Sequence, residues 1–256
     1  MVDIHCHILP GLDDGAQEES VAREMAQMAA GDGITDIVAT PHANYRFAFD
    51  PEVNRQKRDA LQQAIGESPR LLLGCDFHLS YVNIEALRQR PERYTINGLQ
   101  YLLVEFADTS IPPNMDDVFF DMLSRNVAPI ITHPERNPIL SEAPEQMLSW
   151  LQAGCLVQVT AGSMLGRFGK RARQAAERLL QHRMVHCIAT DAHNTSSRPP
   201  LLAEARKTLA AKHGEEVARA LFETNPGAVI AGRELAWKPA PEPFDAPPRK
   251  WFSLHR

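Results

Sequence analysis

The chain begins Met1-Val2-Asp3-Ile4-His5-Cys6-His7-Ile8-Leu9-Pro10-Gly11, followed at once by Asp13-Asp14-Gly15. The run from 2 to 8 is apolar apart from Asp3 and two histidines at i and i+2. On a strand, that spacing puts both imidazoles on one side and turns Cys6 away from them. The same form recurs along the chain. Apolar runs stand at 34–39, 71–74, 101–104, 128–132, 155–159 and 184–189. The second leads to His42, the third to Asp76, the fourth to Glu105, the fifth to His133 and the last to Asp191 and His193; Asp14 follows the first. Only the run at 155–159 delivers no metal-type side chain.

Helical segments are expected between the runs. Glu18 and Glu19 open one that ends near Gly31, and Asp50-Pro51 caps a second. Others are expected at 82–88, 114–125, 142–153, 168–181, 201–212 and 215–223, with a short one begun by Asn225-Pro226. Strand then helix, repeated, with runs that do not alternate in polarity, predicts parallel strands covered by helices. An open doubly wound sheet would concentrate its site at one switch point. Here ligands follow nearly every run from first to last, and only closure gathers all those carboxyl ends at one mouth. The expected fold is therefore α/β, a seven-stranded (β/α)7 barrel of the TIM type, over residues 1–237. Prolines 239, 241, 243, 247 and 248, then Trp251 and Phe252, mark 238–256 as a proline-rich tail without its own core. Its aromatics are expected on the barrel, on a second subunit, or in a disordered segment.

Composition narrows the function. A formal charge of −5 gives no electrostatic reason for a nucleic-acid partner, and the Arg-rich stretches at 88–93, 167–178 and 249–256 lack the interleaved aromatics of a stacking surface. No apolar run is long enough to span a bilayer, and a ligand already stands at position 5, which leaves no room for a signal peptide; a cytoplasmic protein is expected. Cys6, Cys75, Cys155 and Cys187 form no CxxC pair and are expected to be buried and reduced. No phosphate-binding GxxxxGK[ST] loop or dinucleotide GxGxxG occurs.

Histidines with carboxylates suit Mn²⁺, Fe²⁺ or Zn²⁺. His5, His7, Asp14, His42, Asp76, Glu105, His133, Asp191 and His193 exceed what one ion needs and suit two or three, with Asp76 as the bridging carboxylate. Arg136 and Arg198 follow His133 and His193 in loops on the ligand side, where guanidinium groups point to a phosphate target. Of Asp13 and Asp14, one is expected at the metals. Asp3 and Asp36 are read as exposed-end or structural groups, and His78 as core, rim or substrate contact.

The opening Asp3-Ile4-His5-Cys6-His7, with Asp13-Asp14-Gly15, resembles the PHP superfamily (polymerase and histidinol phosphatase). Ala39-Thr40-Pro41-His42, Glu105-Phe106, His133-Pro134-Glu135-Arg136 and Thr190-Asp191-Ala192-His193-Asn194, with Ser197-Arg198-Pro199-Pro200, are more closely similar to its bacterial manganese-dependent protein-tyrosine-phosphatase branch, linked to capsule and exopolysaccharide synthesis. The resemblance implies a distorted seven-stranded barrel, the PHP fold, with three ions, Mn²⁺ foremost and iron or Zn²⁺ as alternatives. It places His5, His7, Asp76 and Asp191 on one ion, Asp76, Glu105 and His133 on a second, and Asp14, His42 and His193 on the third. Glu is usual in that branch where this chain has Asp76, one methylene shorter. Arg136 and Arg198 would grip the phosphoryl oxygens, and His42, Asp14 or a bound water would supply a proton. The implied reaction is phosphotyrosine hydrolysis by a metal-activated hydroxide, on the tyrosine-rich tail of a bacterial autokinase, in a protein that can form homo-oligomers. The alternatives are a small-molecule phosphatase such as histidinol-phosphatase, a phosphodiesterase of the exonuclease kind, and a non-catalytic metal-stabilised kinase-binding protein.

Overall fold

The computed structural model describes residues 1–244. Pro247, Pro248, Trp251 and Phe252, on which part of the tail reading rests, lie outside the described residues. Among the described residues, nine strand segments occur in chain order: β1 (Val2–Cys6), β2 (Asp36–Ala39), β3 (His42–Ala43), β4 (Arg70–Leu73), β5 (Asp76–His78), β6 (Tyr101–Glu105), β7 (Ala128–Thr132), β8 (Leu156–Thr160) and β9 (Cys187–Ala189). They correspond to the seven expected runs, because the second and third each break in two. All pairings are parallel. One sheet runs β1-β2-β4 and the other β3-β5-β6-β7-β8-β9. The break between β2 and β3 falls at Thr40-Pro41, where proline has no N–H to donate to a ladder. This split is the distortion of the barrel.

The ring closes between the first and last strands. Asp191 N donates to His5 O at 2.8 Å, and His7 N to Ala192 O at 2.8 Å. Inside the ring the side chains stack in layers. Leu103, Ile130 and Leu156 belong to one buried apolar cluster with Ile4, Val38 and Cys187. Two residues further along each strand, and so on the same face, come Glu105, Thr132 and Gln158. The lower barrel is thus a packed apolar plug and the upper layer is polar. A register shift in β1 between Asp3 and Cys6 allows both Ile4 and His5 to serve this interior. Cys6 instead joins the outer cluster beneath the helices, as strand alternation requires.

The helices fall where expected, within a few residues: Glu19–Gly31, Pro51–Ile65, Tyr81–Gln89, Met115–Ser124, Leu148–Ala153, Gly169–Gln181 and Ala203–His213. Asp50 caps the second by accepting from Glu52 N and Val53 N. The segment expected at 142–153 is a 3-10 turn, Pro144–Met147, before a short helix, because Pro144 and the tight Ala143 corner delay the α register. Helix Gly169–Gln181 buries Ala172, Ala175, Ala176, Leu179 and Leu180, its expected inner face. The start of the proline-rich segment lies on the barrel. Glu242 N donates to His182 O at 2.9 Å, and Phe244 packs on the His182 ring at 4.1 Å with the Arg178 guanidinium 4.4 Å from its own centroid. All four cysteines are free and buried. No helix among the described residues is long and apolar enough to cross a membrane.

Candidate metal centre

The strand ends converge as anticipated. His5 Nε2 lies 3.2 Å from His7 Nε2, 3.6 Å from Asp76 Oδ2 and 3.5 Å from Asp191 Oδ1. Asp14 Oδ1 lies 3.3 Å from His42 Nε2 and 3.4 Å from His193 Nε2. Glu105 reaches His42 Nδ1 and His133 Nε2, each at 3.8 Å. Three overlapping groups have donor atoms all within 4.8 Å of one another: His7, Asp14, His42 and His193; His5, His7 and Asp76; and His42, Asp76 and Glu105. His133 and Asp191 stand beside these groups rather than within them. His7 and His42 each join two groups, which the expected division among three ions did not foresee. Asp76 also belongs to two, the position of a bridging carboxylate.

The backbone shows what it takes to aim these groups. His133 and Asp191, each at the exit of a strand, have φ of 35° and 50°. Non-glycine residues in this left-handed region are strained and collect at functional sites. A second set of groups fixes the imidazoles. His5 Nδ1 donates to Gln158 Oε1 at 2.9 Å, His7 Nδ1 to Asp13 Oδ2 at 2.7 Å and His193 Nδ1 to Asp191 O at 3.1 Å. With Nδ1 committed as the donor, Nε2 is the ring nitrogen that each imidazole presents to the cluster, the arrangement of a metal-ligating histidine.

The donor set fits divalent ions. Asp76 is fully buried, and neither of its carboxylate oxygens has a hydrogen-bond partner. His42 Nδ1 is likewise buried without a hydrogen bond, 3.1 Å from Asp76 Oδ2. An isolated buried carboxylate costs several kcal/mol unless a cation compensates it. The electrostatics agree. Burial pulls the His42 imidazole down, yet Asp14 and Asp76 outweigh it and raise it to about 11. His7 rises to about 9 because Asp13 overcomes the same burial. Burial would raise Asp76 and Asp191, but His5 beside the first and Arg136 beside the second hold both well below the carboxylate range. A pocket that draws protons this strongly draws cations. His133 differs: burial, reinforced by Arg136, keeps it neutral and available as a nitrogen ligand.

Arg136 and Arg198 both donate to Asp191 Oδ2. They lie at the same mouth as the three donor groups. His78 stands at the rim, Nδ1 3.8 Å from Glu105 Oε2. Asp3 is not at an exposed end. It is fully buried and accepts from Thr190 N at 3.0 Å, from Thr190 Oγ1 and from His5 N, riveting β1 to the loop after β9. Asp13 and Gln158 went unassigned from sequence. Their signals were present: Asp13 adjoins Asp14, and Gln158 is the polar interruption of the one apolar run that leads to no metal-type side chain.

A closed ring of parallel strands with three overlapping nitrogen–oxygen donor groups at its carboxyl mouth defines a multinuclear metal-dependent hydrolase. The chain belongs to the CpsB/CapC family of capsular polysaccharide synthesis, whose model matches residues 1–231. It is 31% identical over 258 residues to the tyrosine-protein phosphatase YwqE of Bacillus subtilis (strain 168), covering 99% of this chain and 100% of the relative. It is 32% identical over 260 residues to the putative tyrosine-protein phosphatase CapC of Staphylococcus aureus, with 99% and 100% covered. Among solved structures, a chain from the crystal structures of YwqE from Bacillus subtilis and CpsB from Streptococcus pneumoniae, described as unique metal-dependent tyrosine phosphatases, superposes with a TM-score of 0.89 at 30% identity, covering 96% of this chain and 100% of that one.

Proposed function

We propose that this protein is a metal-dependent protein-tyrosine phosphatase that hydrolyses phosphotyrosine in proteins. The observation that carries the reading is the fully buried Asp76 carboxylate, which no hydrogen bond satisfies and which His5 and His42 flank, with Arg136 and Arg198 on the same mouth. The proposed ligands are His5, His7, Asp14, His42, Asp76, Glu105, His133, Asp191 and His193, holding three Mn²⁺ ions, with iron or zinc as competitors for the same donors. Bound ions at such a site lower the pKa of water and stabilise charge on phosphoryl oxygens.

The chain's own side chains complete the reaction. Arg136 and Arg198 exchange Asp191 Oδ2 for phosphoryl oxygens and present forked N–H donors to the developing charge. Asp13, Gln158 and the Asp191 carbonyl hold the histidine tautomers through turnover. Asp14 and His42, at the exposed rim of the cluster, are the groups placed to handle the leaving-group proton. That demand is modest, because a phenol ionises near pH ~10. A cavity of about 180 Å³ beside the centre, lined by Glu105, Phe106, His133, Arg136 and Asn137, offers room for the phosphorylated side chain.

The family's link to capsule synthesis and the phosphatase names of the relatives support a cytoplasmic role on the tyrosine-rich tail of a polysaccharide-export autokinase. Residues 1–237 are the proposed catalytic unit and 238–256 an appended tail; the family match ending at residue 231 supports that boundary. The test is hydrolysis of phosphotyrosine peptides by metal-stripped protein after separate return of Mn²⁺, Fe²⁺, Zn²⁺ and Mg²⁺, with histidinol phosphate as a second substrate. Turnover restored by Mn²⁺ and preferring the peptide is expected. His133→Ala should lose it through metal loss. Full turnover without any ion, or preference for histidinol phosphate, would overturn the reading.

A further inference from the structure

Arg136 and Arg198 come from loops on different strands, yet their guanidinium groups meet on one carboxylate oxygen. Two cations so close repel each other, and long side chains have many alternative rotamers. A third residue joins both. The Arg136 guanidinium carbon lies 4.6 Å from the centroid of the Phe168 ring, and that of Arg198 lies 5.8 Å from the same centroid. Both distances fall within cation–π range. Phe168 lines two surface cavities, one also lined by Glu135, Arg136 and Pro138, the other by Thr190, Ser197 and Arg198.

Phe168 is not ordinary core. Its neighbour Met164 belongs to the main apolar cluster and Leu165 packs against it, but Phe168 does not. Its place is kept open by Gly162, where an added Cβ would stand 2.9 Å from Phe168 Cε2. A side chain at 162 would push the ring off its seat.

We propose that Phe168 is the positioning residue for both arginines: its ring sets the spacing and tilt of the two guanidinium planes so that they bind one tetrahedral dianion together. This rests on the reading of Arg136 and Arg198 as phosphate-binding groups, and it adds a residue that acts on phosphate only through them. Leucine at 168 fills similar space without a π face. Tyrosine keeps the face.

The experiment uses metal-loaded, full-length protein and reads the inhibition constant of inorganic phosphate together with KM and kcat on a phosphotyrosine peptide. Phe168→Leu should raise the phosphate constant and KM about tenfold, the scale of one or two lost cation–π contacts, with a smaller change in kcat. Phe168→Tyr should restore both. Gly162→Ala, which keeps the phenylalanine and suits a helical position, should move them in the same direction with the melting temperature held or raised. Arg198→Ala separates the two ideas. If Arg198→Ala weakens phosphate while Phe168→Leu and Gly162→Ala leave it within about twofold, below even one weak cation–π contact, the positioning role is wrong and the phosphate reading stands. If Arg198→Ala and Arg136→Ala leave phosphate binding unchanged, the phosphate reading itself fails. Loss in Phe168→Leu that tyrosine does not restore would also overturn the proposal, because packing alone would then account for it.

Discussion

Asp13 Oδ2 accepts a hydrogen bond from His7 Nδ1 at 2.7 Å, although Asp13 has no place in any of the three donor groups. The same oxygen accepts from His42 N, and its twin accepts from Gly15 N. One buried carboxylate therefore orients the ring of one proposed ligand and the backbone of another. Asp13→Asn keeps the size of the side chain but can present an amide N–H where His7 needs an acceptor. Mn²⁺ affinity should fall about 10- to 100-fold, the usual range for such supporting partners, with the circular dichroism spectrum unchanged. Isothermal titration of stripped protein reads this; an unaltered affinity would remove Asp13 from the metal argument.

Gly15 lies so close to His7 that an added Cβ would sit 2.1 Å from His7 O and 2.5 Å from His7 Cβ. Backbone cannot yield there as a flexible side chain can. Gly15→Ala should destabilise by about 1–3 kcal/mol or more, as overpacked sites do, and release metal at the same time. Gly31→Ala is the control: its new methyl meets nothing within 4 Å, and stability should change by less than about 1 kcal/mol. Urea unfolding of the two variants side by side distinguishes a local clash from a general intolerance of alanine.

Asp76 belongs to two donor groups and has no other partner. Asp76→Asn removes the charge and keeps the shape. The metal content of the loaded protein should fall, with activity lost, and the ion-free protein should melt below the parent at neutral pH. That last sign follows from His5 and His42, which hold the Asp76 carboxyl well below its usual range and would lose their counter-charge. Metal analysis by mass spectrometry and a thermal scan test the two halves independently; a variant that kept its full complement of ions would refute bridging by Asp76.

His186 offers a pH dependence remote from the metals. It is fully buried, its Nδ1 accepts from Val157 N at 3.2 Å, and burial lowers its pKa to about 3. The unfolded imidazole titrates near pH ~6.5. Between these values the unfolded chain binds the extra proton, so acid favours unfolding. The stability owed to the neutral ring is complete above pH ~6.5 and declines below it, by about 2 kcal/mol at pH 5. His186→Gln retains an acceptor without a titrating proton. Its urea midpoint should vary less between pH 7 and pH 5 than that of the parent, and equal slopes would show that other groups govern acid lability.

The ring of parallel strands was readable because ligands at the ends of runs constrain topology more tightly than hydrophobicity does. Burial on both faces made the strands largely plain apolar runs, and all but the run at 155–159 lead to a metal-type side chain. What escaped notice acts through geometry rather than type. Gln158 looks like a polar flaw in a strand until the fold sets it against His5. Asp3 is legible only as an exposed-end or structural group, and the seating of β1 beside Thr190 decides for the structural one. The break at Thr40-Pro41 splits one strand between two sheets, and only the registers β2–β4 and β3–β5 reveal it. Phe168 was legible as the start of a helix and not as a seat for two arginines, since no local pattern records which cations a ring will meet.

The closure of β1 on the segment after β9 has a consequence for biogenesis. His5 and His7 are translated well before their neighbours Asp191 and His193, so the proposed coordination shell stays incomplete while the strands between them are made. Long-range pairing of this kind is slow to form. Ion uptake is therefore expected to be a late step of maturation, and nascent chains arrested before residue 191 should hold manganese poorly even when most of their helices have formed.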